Sequence, residues 1–300
     1  MPSSEGYVTT EDGVRLFFQT VGSGAQTVLI PNASFLFTDF HGLAGGRTLV
    51  FYDMRNRGRS DEVSDGSKLK RGIHHDVEDL EAMRRHFGVS KVNVIGHSAL
   101  GLMAILYAMR YQDHAGRIVQ IGSVPPNPRK LYPAHLTNAD ATLTEVSTKL
   151  GQLMKESESE DAQEFCEKWR ALMRVLFVAN PADAGKVSGW SGDLSKERIV
   201  SGMKHWGENI LPSIQSLNLT ADEVATVRTP VLTIHGRRDR QSPYGGAREW
   251  AAMLPNARLV TVDEAAHVPW IEAPEKVFGS IRTFLDGSWP EGAEKVESVG

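Results

Sequence analysis

Eight short apolar runs constrain this chain more than any other feature. Residues 7–10 and 14–18 flank a Glu11-Asp12-Gly13 turn in the pattern of an opening β-hairpin. Residues 27–30, 48–52, 92–95, 118–121, 231–234 and 259–262 follow, mostly β-branched or aliphatic. Short continuous runs of this kind suit parallel strands covered on both faces. Before the run at 92, Ile73, Val77, Leu80, Met83 and Phe87 recur at steps of four, three, three and four, one face of an amphipathic helix that Gly88 ends. Strands alternating with helices predict a doubly wound α/β sheet.

The alternation stops between residues 133 and 226, where the pattern is helical. Phe165, Trp169, Leu172, Met173 and Leu176 recur at helical steps, and the charged run 155–164 reads as a solvated helix face. Strands resume after Thr229-Pro230. The expected organisation is therefore one core in two parts, 1–132 and 227–287, interrupted by a helical insertion at 133–226 and followed by a polar tail, 288–300, that frays. The 300 residues, 41% hydrophobic, supply a sizeable core. Lysine plus arginine, 33, nearly balances aspartate plus glutamate, 37, so the composition points away from nucleic acid and membrane surfaces and towards a small-molecule partner. Residues 1–11 lack the pattern of a signal peptide, and the apolar run 99–109 suits a buried helix rather than a bilayer span. The single cysteine, Cys166, can form neither an internal disulfide nor a multi-thiolate metal site, and the chain reads as cytoplasmic.

Chemistry concentrates in Val92-Asn-Val-Ile-Gly96-His97-Ser98-Ala99-Leu100-Gly101, where an apolar strand runs into a serine and then an apolar helix. A sharp turn there would push the Ser98 hydroxyl into a cleft above the sheet, with the Ala99 amide placed to hold an oxyanion. Taken alone, Ser98 also reads as a helix cap. A nucleophilic serine needs a base and an orienting acid. Asp239 follows the strand at 231–234 and His267 the strand at 259–262, both on loops at the carboxyl edge where open α/β sheets keep their sites. His267 would shuttle the serine proton while Asp239 fixes its tautomer.

Two further segments complete a resemblance. Asp53-Met-Arg55-Asn-Arg57-Gly58-Arg59-Ser60 is similar to the Asp-x-Arg-Gly-x-Gly-x-Ser turn of the α/β-hydrolase superfamily, and His267-Val-Pro269-Trp270-Ile-Glu272-Ala-Pro274-Glu275 to its histidine segment. With the order serine, acid, histidine, the chain resembles capped serine hydrolases of the proline iminopeptidase and esterase type. The resemblance implies an α/β-hydrolase fold, a mostly parallel sheet flanked by helices with a helical cap inserted, and a Ser98-Asp239-His267 triad. The chain departs from the family at Pro31-Asn32-Ala33-Ser34, where His-Gly is usual; by position, Ala33 supplies the second oxyanion amide beside Ala99, with Asn32 or Ser34 as side-chain supplements. Leu100 stands where the family prefers a small residue, which implies a shifted elbow or a helix packed slightly apart. Arg55, Arg57 and Arg59 read as a structural turn tied to carboxylates rather than a phosphate site.

Other polar residues carry plainer expectations. His74 and His75 read as solvent-facing rather than metal ligands, His97 as packing, and Cys166 as an inert, partly buried thiol. No metal and no cofactor are implied, since no glycine-rich phosphate loop follows the first strand. Ser34, Phe35, Leu36, His205, Trp206 and Trp270 are candidate walls of an apolar pocket for an acyl or alkyl group, although aromatic residues at helical spacing are usually core. The resulting expectation is hydrolysis of small hydrophobic carboxylic esters through an acyl-enzyme. One alternative is an aminopeptidase or amidase using cap acids, for which Glu156, Glu158, Glu160, Asp161 and Glu164 are available although their clustering reads as surface. The other is a hydrolase-like ligand receptor that retains the triad.

Overall fold

A computed structural model describes residues 4–138, 140–190 and 195–297. The extreme ends of the expected core and tail, and positions 139 and 191–194 of the expected insertion, lie outside the described residues. The apolar runs form β1 Glu5–Thr9, β2 Arg15–Val21, β3 Gln26–Pro31, β4 Arg47–Tyr52, β5 Val92–His97, β6 Ala115–Ile121, β7 Val231–Gly236 and β8 Ala257–Val262. Among the described residues they make one eight-stranded sheet in the order β1-β2-β4-β3-β5-β6-β7-β8. Only β2 runs against its neighbours; the pairs from β4 to β8 are parallel.

Every residue of β5 and β7 is buried, as strands covered on both faces require. Neighbouring residues point to opposite faces. Leu29, Val50 and Val94 join one core with residues of α2 Ile73–His86 and α3 Ala99–Arg110. Val28, Ile30 and Ile95 join the other, with residues of α1 Ala33–Phe40 and α11 Pro274–Leu285. Helix α1 is not among the elements read from the sequence pattern; Phe35, Leu36 and Phe40 bury on it.

Between β6 and β7 the described residues contain helices and no strand: α4 Ala141–Lys155, α5 Ala162–Phe177, α6 Lys196–His205, α7 Leu211–Gln215 and α8 Ala221–Val224. Asp140, Asp161, Ser195 and Thr220 cap four of their amino termini with side-chain oxygens. Of the charged run 155–164, residues 156–161 form the solvated turn joining α4 to α5, and only its ends lie on the two helices. Cys166 is more buried than expected, among Phe165, Trp169 and Ile199. The remaining helices are α9 Tyr244–Met253 and α10 Pro269–Glu272. No helix among the described residues is long and apolar enough to cross a membrane.

Two sequence expectations need correction here. The tail does not fray as far as residue 297, because Trp289 packs on Phe284, Glu294 bridges to Leu259, and Val296 is buried against Tyr244 and Ala247. His75 is buried, while His74 faces solvent, because the helical turn carries His75 to the inner side of α2.

The arginine turn after β4 is tied to carboxylates chiefly through Arg55. Its guanidinium, 2% exposed, donates to Asp79 Oδ2 at 2.8 Å, to Asp12 Oδ2 at 2.8 Å and to the Lys68 carbonyl at 2.7 Å. Asp53 accepts the Ser34 amide at 2.8 Å and the Arg59 amide at 3.1 Å. Gly58 has φ +49°, and a Cβ there would fall 2.0 Å from the Asp53 carboxylate. Thus α2, the first hairpin and the entry to α1 hang on one turn. Removing one partner of a buried ion pair strands the other, so Arg55→Met is expected to destabilise the protein by about 3–5 kcal/mol in urea titration. Arg55→Met combined with Asp79→Leu should recover part of that loss.

Candidate active site

Strand β5 ends in a forced turn. Ser98 adopts φ +59°, ψ −129°, a backbone conformation that few residues other than glycine take up, and α3 starts at the next residue. The turn closes because Gly96 has no side chain: a Cβ there would stand 2.2 Å from the Leu100 carbonyl oxygen. A Cβ on Gly101 would meet Ser123 Cβ at 2.8 Å. Strand and helix are therefore in close contact and not packed apart, and Leu100 fits because its side chain lines a cavity instead of entering the contact. The Ser98 amide donates to the Ile121 carbonyl of β6 at 2.9 Å, which fixes the tip of the turn to the sheet.

Asp239 and His267 come from the loops after β7 and β8. Asp239 is 1% exposed; its Oδ2 accepts His267 Nδ1–H at 2.7 Å and its Oδ1 accepts the amides of Gln241 at 2.8 Å and Ser242 at 3.0 Å. Burial by itself would raise the Asp239 pKa, but the charge and hydrogen bond of His267, with His235 and the Ser242 amide, hold it below the usual carboxylate range. His235 donates Nε2–H to the Ser242 carbonyl at 3.0 Å, and burial lowers its pKa, which favours the neutral ring. His97 is buried and donates Nε2–H to the His267 carbonyl at 2.9 Å, with the two rings 4.5 Å apart. It packs, as expected, and also positions the His267 backbone.

The segment between β6 and β7 is bound to both loops. The amides of His267 and Val268 donate to the Phe177 carbonyl at 3.0 and 3.2 Å. Glu272 accepts the amides of Ala266 and Ala179 at 2.7 and 2.8 Å, and that of Asn180 at 3.3 Å. Arg240, next to Asp239, pairs with Asp140 and donates to the Val178 and Ala179 carbonyls.

These elements enclose a cavity of about 330 Å³ lined by Ser98 and His267. Ser98 Oγ has no hydrogen-bond partner among the described residues. Leu143 and Leu150 of α4, Trp169 and Met173 of α5, and Met203 of α6 give the cavity an apolar wall. His205, Trp206 and Phe35 line it as well. Trp190, which sequence reasoning did not single out, completes the aromatic side by packing 4.5 Å from Phe35.

Three expected wall residues lie elsewhere. Leu36 is one position round α1 from Phe35 and is buried in the core. Ser34 gives its amide to Asp53 and borders a smaller adjoining pocket with Asn32 and Arg57. Trp270 sits 4.9 Å from His97, away from the cavity wall, and donates Nε1–H to Asp39 Oδ2 at 2.8 Å. Ala33 and Ala99 are the first residues of α1 and α3, where amides have no intrahelical acceptor. Asn32, in the left-handed region at φ +75°, turns the chain into α1 and lines the cavity.

Arg55, held by Asp79 and Asp12, touches the cavity, and two further charged wall residues escaped sequence reasoning. Arg57 was grouped with its neighbours as structural, yet its side chain lines the cavity and pairs with no carboxylate among the described residues. Asp76 also lines the cavity; burial and Asp79 push its pKa up to about 7 against the pull of Arg57 and Arg55. The signal for Asp76 was its spacing: three residues after Ile73 and four before Leu80, it is an acid on the apolar face of α2.

The sequence profile of the alpha/beta hydrolase fold matches residues 25–274. The chain is 28% identical over 247 residues to a proline iminopeptidase from Saccharolobus solfataricus, covering 80% of this chain and 76% of that protein. It is 26% identical over 287 residues to a bifunctional esterase/perhydrolase from Acinetobacter calcoaceticus, covering 89% and 95%. Among solved structures, an esterase from Exiguobacterium antarcticum superposes with a TM-score of 0.71 at 17% identity, over 95% of this chain and 100% of that one, a likeness of fold.

The β5–α3 contact makes a direct prediction. Gly96→Ala should lower stability by about 3 kcal/mol in thermal or urea unfolding, since backbone carbonyl must move to admit the methyl group. Gly45→Ala, whose added methyl meets nothing within 4 Å, should change it by less than about 1 kcal/mol.

Proposed function

The chain belongs to the α/β-hydrolase fold family, and we propose that it is a serine hydrolase cleaving small, largely hydrophobic carboxylic esters with Ser98, His267 and Asp239 as its triad. The observation that carries this reading is the strained Ser98 turn opening into the same cavity as a buried His267 that is hydrogen-bonded to Asp239. Ser98 Oγ attacks the ester carbonyl as His267 Nε2 takes its proton. The Ala33 and Ala99 amides hold the oxyanion, and Asn32 borders the same space. His267 returns the proton to the departing alcohol. It then activates the water that releases the acid, and Asp239 keeps Nδ1 protonated throughout.

On this reading the helices of residues 133–226 are a cap over a core formed by 1–132 and 227–287. The hydrogen bonds from Phe177, Glu272 and Arg240 support a cap held in register with the acid and base loops. Its aromatic and aliphatic wall favours an apolar acyl or alcohol group. A cytoplasmic location, favoured by the lone cysteine, belongs to the same proposal.

Relatives named proline iminopeptidase keep an aminopeptidase reading in view. The cap acids put forward for it, Glu156, Glu158, Glu160, Asp161 and Glu164, do not line the cavity. The acid that does, Asp76, shares the wall with the unpaired Arg57, which opposes a substrate ammonium. Steady-state kinetics with 4-nitrophenyl butyrate should therefore show turnover well above that with proline 4-nitroanilide. Ser98→Ala should lower kcat on the ester by about a million-fold, and Asp239→Asn by about ten-thousand-fold with the fold retained by circular dichroism. Ester turnover surviving Ser98→Ala would sink the reading, and faster turnover of the anilide would replace it with the peptidase.

A further inference from the structure

The proposed reaction leaves Arg57 and Asp76 without a role, although both line the cavity that holds Ser98. Arg57 comes from the turn after β4 and Asp76 from the first turn of α2. The two are close enough for each to shift the other's ionisation, yet they form no ion pair, and neither side chain has a hydrogen-bond partner among the described residues. The nearby carboxylates are engaged: Asp79 holds Arg55, and Asp53 accepts the Ser34 and Arg59 amides. The Arg57 guanidinium lies 5.9 Å from the centre of the Trp206 ring. His205, 4% exposed on the same wall, has a buried Nδ1 without a hydrogen-bond partner among the described residues.

Arg57 is part-buried on this wall, and a guanidinium partly withdrawn from water without a paired counter-charge is unfavourable unless a ligand faces it. The sign of that ligand follows from which of the two groups can discharge. Arginine keeps its proton at any working pH, so an ammonium drawn to Asp76 would still be repelled by Arg57. A carboxylate drawn to Arg57 meets in Asp76 an acid that can take up a proton and donate a hydrogen bond. The groups acting on the Asp76 carboxyl are Arg57 and Arg55 from the turn, Tyr52 at the end of β4, and Asp79 one turn along α2. Arg55, His97, His205 and His267 are the other titratable groups on the cavity wall.

We propose that Arg57 and Asp76 form a subsite for a free carboxylate carried by the ester substrate, so that the preferred substrates are esters bearing one ionised acid group besides the scissile bond. The inference rests on the serine-hydrolase reading of Ser98. The carboxylate can belong to the acyl part or to the alcohol part, and two matched pairs separate these cases. Monomethyl adipate against methyl hexanoate tests the acyl side; 3-(butyryloxy)benzoate against phenyl butyrate tests the alcohol side. In the wild-type enzyme, kcat/KM for the acidic member of one pair should exceed that of its neutral partner by at least about tenfold, the worth of a charge-assisted contact. Arg57→Met should reduce that ratio by about tenfold or more, and Arg57→Lys should restore part of it.

The wild-type ratio should also fall as pH rises through about 7, as Asp76 loses its proton and repels the carboxylate. Asp76→Asn should flatten the profile; taking a ratio of two esters cancels any pH dependence the two hydrolyses share. A wild-type ratio at or below one for both pairs overturns the proposal, as does a ratio that Arg57→Met leaves in place. Should Arg57→Met fail to fold, the wild-type ratio and its pH profile decide alone. Failure of the ratio leaves the Ser98 reading standing, whereas turnover that survives Ser98→Ala overturns both.

Discussion

The backbone contact between Gly96 of β5 and the Leu100 carbonyl of α3 is the constraint on which the rest of the site depends. With no side chain between them, the helix begins one residue after the strand turns, and Ser98 is held at positive φ with its hydroxyl in the cavity. Such strain persists only where the surroundings over-determine it. Here β5 lies in the middle of the sheet with every residue buried, and the Ser98 amide is bound to β6, so the turn cannot relax without disturbing both cores. The same contact explains why Leu100 is tolerated: what approaches Gly96 is main chain, and the leucine side chain is free to face the cavity.

The histidine and acid loops are held by a different kind of constraint. Parallel strands end at the same edge of the sheet, which brings the loops after β7 and β8 near the end of β5 whatever their sequences. Proximity alone does not set a 2.7 Å hydrogen bond. Asp239 is aimed by two amides of its own loop, and the His267 backbone is held between the Phe177 carbonyl and His97. Because Phe177 and the Glu272 partners Ala179 and Asn180 lie in the insertion, the helices that wall the cavity are mechanically part of the site.

Three arginines in one turn show how tertiary placement separates residues of the same type. Arg55 is buried between two carboxylates and ties α2 to the first hairpin. Arg59 pairs with Glu5 at the surface and stacks over Phe17. Arg57, between them, lines the cavity and, unlike Arg55, has no carboxylate partner among the described residues. Buried ion pairs are specific because an unmatched charge is so unfavourable. The same physics that makes Arg55 structural makes Arg57 available for a ligand.

Much of this was legible before any coordinates. The strand runs, the helix ending at Gly88, the helical stretch after residue 132 and the order of Ser98, Asp239 and His267 all rest on local periodicity and local turn chemistry, which a linear reading captures. The short helix α1 and the docked tail were not legible, since Phe35, Leu36, Trp289 and Val296 take their places from distant apolar partners. Nor could the sequence separate Phe35 from Leu36 and Trp270 as wall residues, because one step round a helix decides between cavity and core. Sequence by itself determined the strands, the longer helices and which residue types stand at the sheet edge. Only the tertiary structure decided which polar groups are satisfied and which are left facing the cavity, because pairing depends on distances between elements far apart in the chain.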